Sequence, residues 1–192
     1  MKFLDKFRPT NEIKEVHLNP LLMQKQISKK VSPAHTKRFH EKKNIIETII
    51  ISRMDKRETI HGAQALNRHL PDHLDVHTRD FDIFTPTPTK DARETEKALD
   101  KEFGGNFFFI IQAEHPGTIK VKAYANDETY ADYTKPDKKI PFVFKNGLRI
   151  VPLNFIEKSL KRTLADPEQS FRHSKDLDAL NRIKVFKKER LF

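Results

Sequence analysis

Residues 79–85, which read Arg79, Asp80, Phe81, Asp82, Ile83, Phe84, Thr85, constrain this chain more than any other stretch. Successive side chains of a β-strand point to opposite faces, so the alternation sets Asp80 and Asp82 on one face and Phe81 and Ile83 on the other. A strand of this kind is stable only where its apolar face is covered and its carboxylate face is left open. The chain therefore has to build a sheet, and the Thr-Pro-Thr-Pro-Thr run beginning at Thr85 ends this strand.

The remaining segments supply partners for that strand. Residues 36–54 carry Phe39, Ile45, Ile46, Ile49 and Ile50 at helical spacing, although the β-branched run Ile49, Ile50, Ile51 leaves a strand open at the end. Thr59, Ile60, His61 and Gly62 read as a short lead into a turn, and residues 63–70 as a helix stopped by Pro71. Residues 90–103 form an amphipathic pattern with Ala92, Thr95, Ala98, Leu99 and Phe103 inward, closed by Gly104 and Gly105. Strands are expected at 107–113, 118–125 and 129–134, with a tight hairpin at Asn126-Asp127 and another at Asn146-Gly147. Two helices, about 153–165 and 171–187, complete an α/β chain with a small mixed sheet of about five strands. The expected divisions are a basic extended arm at 1–36, the core at 37–152, and a C-terminal helical segment with a basic tail at 153–192.

Charge is unevenly placed. Residues 1–43 hold 11 Lys and Arg against 4 Asp and Glu, residues 184–192 hold four against one, and the 140 residues between them are formally neutral. Basic ends on a neutral body suit a polyanion, with nucleic acid the obvious candidate; the alternative is that they solubilise the chain or dock on an acidic protein neighbour, as in an assembly threaded by the arm. Cysteine is absent, which excludes disulfides and thiolate metal sites and leaves oxygen or imidazole as metal ligands. No apolar stretch is long enough to cross a bilayer, and the start has no apolar secretory core, so a cytoplasmic (or virion) location and no membrane partner are expected. His69, His73 and His77 recur every four residues, but Pro71 breaks any helix that would align them, and they read as surface or core histidines. The run Phe107, Phe108, Phe109 reads as a buried strand rather than a base-stacking platform.

Two carboxylates one residue apart on a strand can hold a hard cation such as Mg²⁺ or Mn²⁺. Ahead of them, Gly62, Ala63 and Gln64 open a helix whose N-terminal N–H groups could cradle a triphosphate. Behind them, Asp132 in Tyr130-Ala131-Asp132-Tyr133 offers a third carboxylate. Metal ligands, a phosphate cradle and a third acid are the parts that phosphoryl transfer requires.

With these parts in this order, the chain resembles the nucleotidyltransferase superfamily, in its viral poly(A) polymerase-like and AbiEii toxin-like branches. The resemblance rests on residues 60–67, on residues 78–84, and on Arg172, Lys175 and Asp176 near the end, and it covers roughly residues 44–183. It implies a polymerase β-like fold and Mg²⁺-dependent or Mn²⁺-dependent transfer of a nucleoside monophosphate from an NTP to a hydroxyl, with RNA as a candidate acceptor. Carried over, Asp80, Asp82 and Asp132 become catalytic metal ligands, while Gly62, Ala63, Gln64 and Lys175 become nucleotide contacts. Position 63 is Ala where the family usually has Gly or Ser, and sixteen residues separate it from Asp80. The second reading is therefore a catalytically degenerate copy, a structural or nucleic-acid-binding component of a viral particle or nucleoprotein assembly.

Overall fold

The computed structural model describes residues 42–78 and 80–191. The basic arm at 1–36, the first turns of the helix expected from residue 36, and Arg79 lie outside the described residues. Helix α1 (Lys43–Arg53) opens the described chain, and strand β1 (Thr59–His61) runs directly into helix α2 (Gly62–His69). Strand β2 (Phe81–Phe84) follows, then helix α3 (Pro88–Phe103) and strands β3 (Phe108–Gln112), β4 (Thr118–Ala123) and β5 (Thr129–Thr134). A hairpin of β6 (Val143–Lys145) and β7 (Leu148–Ile150) leads to helix α4 (Leu153–Leu164), a 3₁₀ stretch Pro167–Arg172, and helix α5 (His173–Glu189).

The seven strands among the described residues form one mixed sheet in the order β3-β4-β5-β2-β1-β7-β6. This corrects two expectations: the sheet has seven strands rather than about five, and Thr59–His61 is no mere lead-in but a strand near its centre. β1 runs antiparallel to β2 and parallel to β7, and β2 runs parallel to β5. Both hairpins have the left-handed residues that tight turns demand: Asp127 at φ 55°, Asn146 at φ 49° and Gly147 at φ 79°.

The sheet has one covered and one open face, as the alternation at 79–85 required. In β2, Phe81 and Ile83 are buried, whereas Asp82 and Phe84 are only partly so. β5 repeats the pattern, with Ala131 and Tyr133 buried and Asp132 and Thr134 only partly so. On the covered side, α3 presents Ala92, Thr95, Leu99 and Phe103, and Thr95 Oγ1 meets Tyr133 OH at 2.6 Å. The run Ile49–Ile51 is helical because Ile46 and Ile50, one turn apart, both enter the core. α3 begins with Pro88 in its first turn and ends at Gly104 in the left-handed conformation.

Candidate active site

The site starts with the glycine between β1 and α2. Gly62 has φ 63°, which an L-residue adopts at a cost, and there the chain turns from strand straight into helix. A Cβ at this position would lie 1.9 Å from Asp82 Oδ2, so the Asp82 carboxylate rests against the bare glycine backbone. The first expected component, a glycine turn beside the Asp-x-Asp strand, is thus a direct contact.

The three aspartates lie in neighbouring positions. Asp82 and Asp132 are register partners on the parallel strands β2 and β5, so their side chains leave the same face of the sheet side by side. Asp80 stands one residue ahead of β2 rather than within it, and its Oδ1 accepts from Thr78 Oγ1 at 3.2 Å. Burial pushes the Asp82 carboxyl up to about 7, and the charges of Asp80 and Asp132 add to the effect. Lys175 and Lys120 pull in the opposite direction, which places both cations within electrostatic reach of Asp82.

Asp132 has a more specific environment. Its Oδ2 accepts from Lys120 Nζ at 2.8 Å, while its Oδ1 is buried without a hydrogen-bond partner. Burial raises its carboxyl above the ordinary range against the pull of Lys120. Lys120 escaped the sequence reading for a geometric reason. Counting outward from the hairpin turn, Lys122 faces Thr129 and Ile119 would face Asp132. The irregularity between Val121 and Lys122 slips the register by one, and Lys120 takes that place.

The expected nucleotide contacts are distributed unequally. Gly62 and Ala63 open α2, whose first-turn N–H groups have no acceptor within the helix. The Gln64 side chain is buried, with Oε1 accepting from Arg68 Nη1 at 2.5 Å, which anchors it to its own helix. Lys175 is exposed in the first turn of α5, and its neighbour Asp176 is buried and paired with Arg172 rather than with Lys175. Asn67 of α2 supports the loop that delivers Asp80, since its Nδ2 donates to Val76 O at 2.7 Å. Arg182 of α5 reaches the same loop through Leu74 O at 3.2 Å, tying the last helix to the site's flank.

His69, His73 and His77 serve separate partners, Val151 O, Glu189 and Lys43 respectively. His61 stacks on Phe84 at 3.7 Å, and burial lowers its imidazole to about 3, so it is neutral at ordinary pH. Among the described residues, no three His, Asp or Glu side chains are already gathered as a metal cage. The donor set still fits a hard cation. Asp80, Asp82 and Asp132 destabilise one another as anions, and the buried Asp132 Oδ1 lacks the partner that a cation would provide.

No protein-family model matches the chain, and no curated protein matches it. Among solved structures, the Megavirus polyadenylate synthase matches with a TM-score of 0.67 at 19% identity, over 97% of this chain and 39% of that one. JHP933 from Helicobacter pylori matches with a TM-score of 0.43 at 16% identity, over 71% of this chain and 62% of that one. The chain thus spans well under half the length of the viral protein it matches. Among the described residues, no helix is long and apolar enough to cross a membrane. The match over nearly the whole chain, together with the seven-stranded mixed sheet, establishes a nucleotidyltransferase-like fold, the fold it shares with the Megavirus polyadenylate synthase.

Proposed function

We propose that the protein transfers a nucleoside monophosphate from an NTP to a hydroxyl acceptor, with RNA the acceptor best suited to its basic termini. The observation that carries this reading is the packing of the Asp82 carboxylate on Gly62 with Asp132 in register beside it. That arrangement sets the anionic end of a strand against the N-terminus of α2, where a triphosphate and its counter-ion have to meet.

Asp80 and Asp82 would hold Mg²⁺ or Mn²⁺, with Asp132 as the third acid. Such a cation, when bound, would neutralise charge on the transferring phosphoryl group and the leaving pyrophosphate. The first-turn N–H groups of α2 would bind the phosphates and fix their orientation. Lys175, exposed yet within electrostatic reach of Asp82, would attract phosphate charge. Asp132, with one oxygen free of hydrogen bonds, would orient the acceptor hydroxyl and take up its proton. The viral neighbour is named for polyadenylate synthesis, which is nucleotidyl transfer to an RNA 3′ hydroxyl, and this favours the same chemistry here.

The second reading, a scaffold without catalysis, draws on Ala63 at the turn and on Lys120, whose ammonium already engages the third acid. Incubation of the purified protein with Mg²⁺ or Mn²⁺, each labelled NTP and mixed RNA separates the two. Labelled RNA that disappears with Asp80→Ala/Asp82→Ala supports transfer. No label, or label untouched by that double substitution, sinks it.

A further inference from the structure

Lys120 is the residue at this site for which neither the Asp-x-Asp pattern nor the glycine turn gives a reason. It stands directly opposite Asp132 across the antiparallel pair β4 and β5, and Asp132 stands opposite Asp82 across the parallel pair β5 and β2. Lys120, Asp132 and Asp82 therefore form one row across three strands on the open face. Lys122, two residues on, is spent elsewhere: its Nζ meets Asp127 Oδ1 at 2.6 Å. The strand irregularity that follows Val121 separates the two lysines' partners and sets Lys120 directly opposite Asp132, leaving Lys122 only a longer-range pull on it.

Most exposed ion pairs contribute little, because water screens them and long side chains lose freedom in forming them. This pair differs in its surroundings. The Asp132 side chain is only 16% exposed, and it borders a second carboxylate whose charge it already opposes. A phosphoryl-transfer site with three acids ordinarily balances them with two divalent cations, roughly 3.5 to 4 Å apart. Here a protein ammonium, 2.8 Å from Oδ2, already provides positive charge at one end of the row. At the other end no ion pair to Asp80 or Asp82 occurs among the described residues, and Asp82 feels Lys175 and Lys120 only through longer-range attraction.

We infer that Lys120 is a built-in cation at Asp132, so that the site takes a single divalent cation, held by Asp80 and Asp82. Lys120 is a positioning residue: it fixes Asp132 and supplies the charge that a second metal ion would otherwise bring. This inference rests on the transfer reading for the identity of the site, but its test does not depend on turnover.

The test is a titration of the full-length protein with Mn²⁺ in the absence of nucleotide, following free Mn²⁺ by its electron paramagnetic resonance signal. The wild-type protein should bind one Mn²⁺ at this site, and Asp80→Ala/Asp82→Ala should abolish that binding. Lys120→Met keeps the stem but removes the charge. It should bind a second Mn²⁺, or bind the first at least about tenfold more tightly, because a unit charge removed at this range shifts affinity by that order or more. Lys120→Arg, which keeps the charge, should behave as wild type, and thermal melts of each variant confirm folding. Two Mn²⁺ on the wild-type site, no binding to any variant, or Lys120→Met titrating like wild type would overturn the inference. Absence of nucleotidyl transfer from a wild-type protein that binds one Mn²⁺, with Lys120→Met binding two, would instead sink the transfer reading and leave the one-cation site intact.

Discussion

Replacing Gly62 with Ala tests the contact on which the site is built. Two separate costs follow from the geometry. An L-residue at φ 63° pays the left-handed penalty, about 1–2 kcal/mol. The new Cβ would also lie 1.9 Å from Asp82 Oδ2 and 2.8 Å from its Cγ, distances that no packed structure sustains. Asp82 cannot retreat freely, because β2 is pinned between β1 and β5, so the clash adds about 1–3 kcal/mol of the kind found in overpacked cores. The total is about 2–5 kcal/mol, readable as a fall in urea midpoint with unchanged slope. Repeating the substitution in an Asp82→Ala background removes Oδ2 and Cγ and leaves the backbone penalty and a 3.2 Å contact with the remaining Cβ. A double-mutant cycle should then return a coupling of about 1–3 kcal/mol. A Gly62→Ala cost below about 1 kcal/mol, or an equal cost in both backgrounds, would refute the proposed contact.

Asp82 also predicts a pH dependence. Its carboxyl is held at about 7 against an ordinary 3.8, so the folded state binds this proton more tightly than the unfolded one. The resulting stability is present below about pH 4 and is lost as pH rises through 7, by up to about 4 kcal/mol in metal-free buffer. Asp82→Asn should flatten this fall in chelator-treated urea titrations, leaving the parts due to Glu58, which burial also holds at about 7, and to Asp132, which burial also raises. Thr95→Val leaves the buried Tyr133 hydroxyl without its partner and should lower stability by about 1–3 kcal/mol, measured by the same unfolding curves. His61→Phe keeps the stack on Phe84 and removes a buried nitrogen that has no partner, so its melting temperature should hold or rise.

What the sequence could disclose divides along local and non-local lines. The faces of β2 were legible at Phe81, Asp82 and Ile83, because alternation is a property of consecutive residues, whereas Asp80 falls one residue ahead of the strand. The hairpins at Asn126-Asp127 and Asn146-Gly147 were legible because their left-handed residues must be of a few types. β1 was not, since three residues running straight into a helix are too short to show a period. The side-by-side placement of Asp82 and Asp132 depends on a parallel pairing across α3, β3 and β4, which spacing cannot fix. The family resemblance supplied that pairing as an expectation. Lys120 required the register slip after Val121, and the Gln64 contact with Arg68 required the side-chain direction within α2. Local alternation and turn chemistry were thus readable, whereas the partners of each side chain were set by the assembled sheet.

The most direct test of the account follows two phosphates of one NTP. With Mg²⁺ or Mn²⁺ and an RNA acceptor, label at the α-phosphate should enter the RNA and label at the γ-phosphate should leave as pyrophosphate, both abolished by Asp80→Ala/Asp82→Ala. Transfer of the γ-label to the acceptor, or α-label transfer that survives loss of both aspartates, would contradict it.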